Sequence, residues 1–308
     1  MNLKKPKFWD YKKPSIISIL LFPITFLIKS ISYLRITPNL RNTKIKTICV
    51  GNIYIGGTGK TSLCIKINEI LSKKKIKSCF IKKFYKNQYD EQSILKKNGE
   101  LFLSKDRFEA LKQAEEKNYK IAIIDDGLQD NSINYNIKIL CFNNINWIGN
   151  GMTIPSGPLR EDVNSIKKYE HIFLNGNLEN LEELKKKILK INSNVNIHVG
   201  VYEPTNINEF NKDENYIIFS GIGNHQTFLS MLKKHNIKIY KDYEFPDHYQ
   251  YTTNDIDQIV AEASKSNCKI ITTEKDFIRL SDENIHKIRF IKSKLNIVDE
   301  EKLLKSII

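Results

Sequence analysis

Val50-Gly51-Asn52-Ile53-Tyr54-Ile55-Gly56-Gly57-Thr58-Gly59-Lys60-Thr61 decides how the chain is read. It continues an apolar run, Lys46-Thr47-Ile48-Cys49-Val50, that reads as a buried strand. It precedes a segment in which Leu63, Ile67, Ile70 and Leu71 fall on one helical face. A glycine-rich turn between strand and helix wraps phosphates with inward-pointing N–H groups, and the helix N-terminus adds a favourable dipole. Gly56, Gly57, Thr58, Gly59, Lys60, Thr61 and Ser62 are therefore the expected ATP-binding residues. Lys60 is placed to reach the β- and γ-phosphates, and the Thr61 hydroxyl to ligate Mg²⁺. Tyr54 stands where the usual pattern has its first glycine. A chance glycine-rich turn is the bland alternative, and the position between strand and helix argues against it.

Ile121-Ala122-Ile123-Ile124-Asp125-Asp126 is the natural partner of this loop. An apolar strand ending in carboxylates puts acids at the C-terminal edge of the sheet, where a second acidic group can reach the Mg²⁺. Further strands are expected over 77–81, 137–142 and 171–174, with helices over 106–117 and 181–189. Strands alternating with helices imply a parallel sheet with helices on both faces. A polar, weakly periodic stretch over 203–215 reads as a linker. Beyond it, strands over 216–220, 237–245, 268–273 and 288–291 alternate with helices over 225–235 and 253–264, and a helix closes the chain. The fold class is thus α/β. A P-loop NTPase-type domain is expected over 37–202 and a smaller α/β domain over 216–308.

Composition bounds the function classes. An apolar fraction of 41% over 308 residues is enough for sizeable cores and argues against disorder. A formal charge of +14 suggests an anionic partner, either nucleic acid or a membrane surface. The competing reading is a general richness in Lys, Ile and Asn, as in Ser72-Lys73-Lys74-Lys75 on a solvated helix end. Cys49, Cys64, Cys79, Cys141 and Cys268 form no CxxC pair. That spacing argues for a reducing compartment and against a disulfide framework or structural zinc.

Ile16 to Ile28 (IISILLFPITFLI) is apolar and follows Lys4, Lys5, Lys7, Lys12 and Lys13. A bilayer-spanning helix needs roughly 20 residues, and this run falls short. It could be a buried helix, a cleaved signal or an interfacial anchor. No small-residue cleavage site follows, and a signal would export an ATP-dependent enzyme from its ATP. Phe8, Trp9, Tyr11, Lys29 and Arg35 suit an anchor over 1–36 lying in the headgroup region.

The phosphate loop, with Gly51-Asn52 ahead of Gly56-Gly57-Thr58-Gly59-Lys60-Thr61, resembles that of the tetraacyldisaccharide 4'-kinases, which also lack the usual first glycine. Asp125-Asp126-Gly127-Leu128-Gln129 is similar to that family's DDG(F/L)Q signature. Gly149-Asn150-Gly151 and Pro155-Ser156-Gly157-Pro158-Leu159-Arg160-Glu161 resemble its GNG…PxGPLRE stretch. Gly221-Ile222-Gly223-Asn224, Phe245-Pro246-Asp247-His248 and Thr273-Glu274-Lys275-Asp276 resemble three further signatures, in the family's order along essentially the whole chain. The resemblance implies transfer of the ATP γ-phosphate to the 4' hydroxyl of a tetraacylated disaccharide 1-phosphate. It also implies a membrane-associated enzyme at the cytoplasmic face of the inner membrane; a monomer is expected, with no nucleic acid partner. It assigns catalysis to Asp90 and His248 beside Lys60, a pair able to accept a proton near neutral pH. Arg160 becomes a phosphate contact, and Asp125, Asp126, Gln129 and Glu161 join Thr61 as candidate metal-site residues.

The chain departs from the family pattern in one region. Lys82-Lys83-Phe84-Tyr85 stands where a Ser-Arg-Gly-Tyr motif is usual, and Tyr89 and Gln92 replace the Gly and Pro of a GDEP-like motif around Asp90. Lys for Arg keeps charge and loses bidentate recognition, and Phe for Gly removes backbone freedom. Two rivals predict other things. A metal-cofactor GTPase would use Thr273-Glu274-Lys275-Asp276 as a guanine-reading motif. A non-catalytic basic binder would keep a vestigial nucleotide fold and bind nucleic acid in a salt-sensitive way.

Overall fold

The computed structural model describes residues 5–34, 40–85, 88–280 and 283–308. The N-terminal segment forms α1 (Ile16–Leu20) and α2 (Phe22–Leu34) rather than one unbroken anchor helix. Pro23 explains the break, because a proline in a first turn starts a helix well and cannot continue the one before it. Residues 1–4 and 35–36 of the expected anchor lie outside the described residues.

The first unit opens with β1 (Lys46–Gly51), α3 (Lys60–Lys73), β2 (Ser78–Lys83) and α4 (Tyr89–Asn98). It continues with β3 (Leu101–Ser104), α5 (Arg107–Glu116), β4 (Ile121–Asp125) and β5 (Ile137–Asn143). β6 (His171–Asn175), α6 (Leu181–Ile191) and β7 (Asn196–Pro204) follow. The second unit contains β8 (Asn215–Ser220), α7 (His225–Lys234), β9 (Lys238–Glu244) and α8 (Thr253–Lys265). It ends with β10 (Lys269–Thr273), α9 (Glu274–Phe277) and β11 (Ile288–Ile291). The chain closes with β12 (Ser293–Ile297) and α10 (Glu300–Ile307).

The large sheet has the order β12-β7-β6-β5-β1-β4-β2-β3, and the small sheet β11-β10-β8-β9. Every pairing between these strands is parallel except β12 on β7. β1 sits between β4 and β5, so the chain leaves its C-terminal end where the strand order reverses, and ligands gather there in such sheets. Its residues Ile48, Cys49 and Val50 are wholly buried, with Ile48 and Val50 packing on one side and Cys49 on the other. That two-sided burial is why the strand reads as a continuous apolar run.

The expected boundary of the second domain at 216–308 needs correction. β12 adds antiparallel to β7, and Leu303 and Ile307 of α10 join Leu63, Ile67 and Ile70 of α3 in one core. Residues 293–308 therefore belong with the large sheet. The return pairs the edge of β7, which would otherwise offer unpaired backbone groups. The linker is also shorter than the expected 203–215, since β7 runs to Pro204 and β8 starts at Asn215.

This return is testable. Leu303 is fully buried, so Leu303→Ala is expected to destabilise the large unit by about 2–5 kcal/mol. The check is the urea midpoint read by tryptophan fluorescence, since Trp9 and Trp147 both lie outside the small sheet. An unchanged midpoint would mean that α10 does not share that core.

Candidate active site

Gly59 caps the N-terminus of α3 in the left-handed region, φ 77°, which a side chain adopts only under strain. A Cβ there would also meet the Tyr202 hydroxyl at 2.7 Å. Asn52 braces the loop from within, donating through Nδ2 to the Tyr54 carbonyl at 2.6 Å and to Thr58 Oγ1 at 2.9 Å. Asn175, at the end of β6, donates to the Thr58 carbonyl at 2.8 Å. Tyr54 is buried, and its hydroxyl accepts from Lys5 Nζ at 2.9 Å and donates to Asp10 Oδ1 at 2.6 Å. The missing first glycine is thus an anchored tyrosine. Ser62 follows in the first turn of α3.

Residues 53–55 pair along residues 158–160, with Ile55 N–H donating to the Pro158 carbonyl at 2.9 Å and Arg160 N–H to the Ile53 carbonyl at 2.6 Å. This pairing carries Arg160 and Glu161 to the phosphate loop. Arg160 Nη1 donates to Asp126 Oδ1 at 3.0 Å and to Gln129 Oε1 at 2.9 Å. Gln129 Nε2 donates to the Asn52 carbonyl at 2.9 Å and to Glu161 Oε1 at 3.1 Å. Lys60 Nζ lies 3.9 Å from Asp126 Oδ1. Burial would push the Asp126 carboxyl up, but Lys60 and Arg160 outweigh it and hold it below the usual carboxylate range.

The two neighbouring acids therefore part company. Asp125 turns to the other side, its Oδ2 accepting from Thr61 Oγ1 at 3.0 Å and from Lys82 Nζ at 2.7 Å. Of the expected metal-site residues, Thr61 and Asp125 meet directly, while Asp126, Gln129 and Glu161 gather around Arg160. Among the described residues no group of three His, Cys, Asp or Glu is arranged to hold a metal by itself. A hydroxyl and a carboxylate are hard oxygen donors, and Mg²⁺ usually takes one or two such groups plus phosphate oxygens.

The second unit meets the first over this loop. Gly57 and Gly223 touch so closely that a Cβ on Gly223 would lie 2.0 Å from the Gly57 nitrogen. His248, at φ 59°, donates its N–H to the Gly221 carbonyl at 3.1 Å and sets Nδ1 3.1 Å from Asp90 Oδ1. Asp90 sits in the first turn of α4, and its Oδ2 accepts from Arg279 Nη2 at 2.5 Å. Glu91 accepts from Lys82 at 2.8 Å and from Lys275 at 3.3 Å, with His248 Nε2 at 3.5 Å. Burial pushes His248 down, but its hydrogen bonds to Asp90 and Glu91 outweigh this and bring it up to about 9. Burial likewise opposes ionisation of Asp90, and the His248 bond with the charges of Lys275 and Arg279 holds it far below the usual range. A raised imidazole beside a depressed carboxylate favours the ion pair of protonated His248 with ionised Asp90, in which the carboxylate is the free acceptor.

Thr273-Glu274-Lys275-Asp276 is spoken for by the protein. Asp276 is fully buried and accepts from Gly221 N–H and the Tyr251 hydroxyl, each at 2.9 Å, from Arg279 at 3.0 Å and from Thr273 at 2.6 Å. Lys275 turns to Asp90 and Glu91. Nothing in the motif is free to read a guanine. Reading the sequence missed Glu91, Lys82 and Arg279 as members of the cluster. Glu91 fills the Glu position of the GDEP-like motif around Asp90 and was legible; Arg279 gave no signal, because its place depends on contacts between the units. Lys86 and Asn87, within the divergent Lys82–Gln92 region, lie outside the described residues.

A family model described as tetraacyldisaccharide-1-P 4'-kinase matches residues 17–308. A tetraacyldisaccharide 4'-kinase of Pelagibacter ubique is 57% identical over 308 residues, covering 100% of this chain and 98% of that protein. One of Rickettsia akari is 34% identical over 304 residues, covering 92% of this chain and 90% of its own. The crystal structure of LpxK from Aquifex aeolicus in complex with ATP aligns with TM-score 0.68 at 22% identity, over 94% of this chain and 98% of that one.

The ion cluster has a pH signature. A histidine whose folded pKa is raised from about 6.5 contributes stability that is complete below that pH and disappears as pH rises through the folded value. The gap in urea midpoint between the protein and its His248→Asn variant should be largest near pH 6, at or below about 6.5, and close as pH passes about 9. A gap that is flat from pH about 6 to 10 would contradict the proposed pairing.

Proposed function

The chain belongs to the tetraacyldisaccharide 4'-kinase family, and we infer that it transfers the γ-phosphoryl group of ATP to the 4' hydroxyl of a tetraacylated disaccharide 1-phosphate, a step of lipid A biosynthesis. One observation ties the geometry to this reading: the Asp90–His248 pair, assembled from both units, lies in the same ionic network as the acid that meets the phosphate loop.

Backbone amides of Gly56 to Gly59 and the N-terminus of α3 hold the phosphates, with Lys60 drawn to their charge. Thr61 and Asp125 would hold Mg²⁺, which when bound neutralises charge on the phosphate oxygens. Arg160, oriented by Asp126 and Gln129, adds a fixed positive charge on the phosphate side. Asp90 accepts a hydrogen bond from the attacking hydroxyl, aligns it, and takes its proton as the new P–O bond forms and the bond to the departing ADP breaks. A weakly basic carboxylate serves, because phosphoryl transfer through a loose transition state needs little early deprotonation. His248 keeps Asp90 ionised and oriented, a positioning task that suits an imidazolium.

The N-terminal helices support a seat on an anionic membrane surface. Their polar residues face inward: Thr25 Oγ1 lies 2.7 Å from Ser156 Oγ, and Ser18 Oγ accepts from Asn150 at 2.9 Å. Their apolar residues face outward, with Ile16 78% and Leu20 72% exposed, beside exposed Phe22, Phe26 and Leu27. So large an exposed apolar surface suits an interfacial helix at the cytoplasmic face of the inner membrane. No described helix is long and apolar enough to cross a membrane. We read the working unit as a monomer.

The first test is transfer of labelled γ-phosphate from ATP to tetraacyldisaccharide 1-phosphate in detergent micelles. Lys60→Ala and Asp90→Ala are each expected to lower the rate by about 10²-fold or more. A wild-type protein that binds ATP and yields no product would place the error in the acceptor. A second test is sedimentation with anionic phospholipid vesicles, where Leu20→Glu with Phe26→Glu should weaken binding by about tenfold or more. Unchanged binding would remove these helices as the membrane seat.

A further inference from the structure

Lys82, at the end of β2, is 2% exposed, and its ammonium donates to Asp125 Oδ2 at 2.7 Å and to Glu91 Oε2 at 2.8 Å. A buried ammonium is retained only where its charge and hydrogen bonds are answered, and here two carboxylates answer them. Those carboxylates belong to different halves of the site. Asp125 accepts from Thr61 on the phosphate loop, and Glu91 adjoins Asp90 in the first turn of α4. The other cations around that turn, His248, Lys275 and Arg279, come from the second unit. Lys82 comes from the sheet that carries the phosphate loop.

We propose that Lys82 is a positioning residue for phosphoryl transfer, its ammonium acting as a resident cation that ties Asp125 to Glu91 and so holds Asp90 at a fixed reach from the phosphate loop. The proposal rests on the kinase reading. It has a consequence apart from turnover. With Lys82 in place, the space between Asp125 and Glu91 is filled by a cation, and a divalent ion gains those carboxylates poorly without nucleotide. Without it, the buried Asp125 and the half-buried Glu91 are left one positive charge short, close enough together to have shared one ammonium, and they become a cation site.

The test compares the full-length protein with Lys82→Met and with Lys82→Met/Glu91→Gln, the second of which keeps the net charge of the pair. Mn²⁺ binding without nucleotide is read by electron paramagnetic resonance, nucleotide affinity with a fluorescent ATP analogue, and kcat and KM with the lipid acceptor. Lys82→Met should bind Mn²⁺ about tenfold or more tighter than wild type, and the added Glu91→Gln should return it to the wild-type level. Both variants should lose about 30-fold or more in kcat while nucleotide affinity stays within about threefold. No gain in Mn²⁺ binding, or a kcat within about twofold of wild type in the charge-balanced variant, would overturn the proposal. If Lys82→Met fails to fold, the charge-balanced variant still decides through its split between kcat and nucleotide affinity. Should the lipid prove not to be the acceptor, wild type itself yields no product, and the Mn²⁺ comparison still reads Lys82 directly.

Discussion

In the first turn of α4, Asp90 and Glu91 meet Lys82 from the large sheet and His248, Lys275 and Arg279 from the second unit. Acids so close together, Asp90 buried and Glu91 half-buried, would repel and protonate in isolation, and drawing four cations out of water, Lys82 wholly and the others in part, would be costly too. Each charge is tolerable because the others are present, so the first turn of α4, the loop after β9 and helix α9 are fixed together. The touching backbones of Gly57 and Gly223 fix the same junction by shape, since neither position has room for a side chain. Asp90 and His248 are therefore not a pair that happens to lie close. They are two members of a joint that sets how the units meet.

The phosphate loop depends on that joint and on the N-terminal segment as well. Its unusual Tyr54 reaches Lys5 and Asp10, while Trp9 donates to the Pro155 carbonyl and its own carbonyl accepts from Asn150 N–H. The stretch that places Arg160 beside the loop is thus held from the other side by the segment carrying the exposed apolar helices. Amphipathicity is inverted there: buried hydroxyls dock the helices through specific hydrogen bonds, and the hydrophobic face is left outside.

Much of this was legible in the sequence. The run into Gly51 was apolar without alternation because β1 is buried on both faces, and Gly59 marked a left-handed turn that a side chain would strain. Asp125 and Asp126 showed as acids at a strand end for the same local reason. What did not show were their different partners, Thr61 and Lys82 for Asp125 and Lys60 and Arg160 for Asp126, which arrive from other elements. The edge pairing of β12 was hidden as well, since a strand's pattern does not name its neighbour in a sheet. The upward shift of His248 did not show either, because it reflects two carboxylates brought to one ring from a distant helix.

The sequence by itself determined the local elements, the phosphate loop and the family, because strand periodicity, glycine placement and short motifs act over a few residues. The tertiary structure alone decided which charges meet: Lys82 with both Asp125 and Glu91, Arg279 with Asp90, and Asp276 with Gly221 and Tyr251. Such partners lie far apart along the chain, and their electrostatics depend on burial and distance, which exist only once the two sheets have packed.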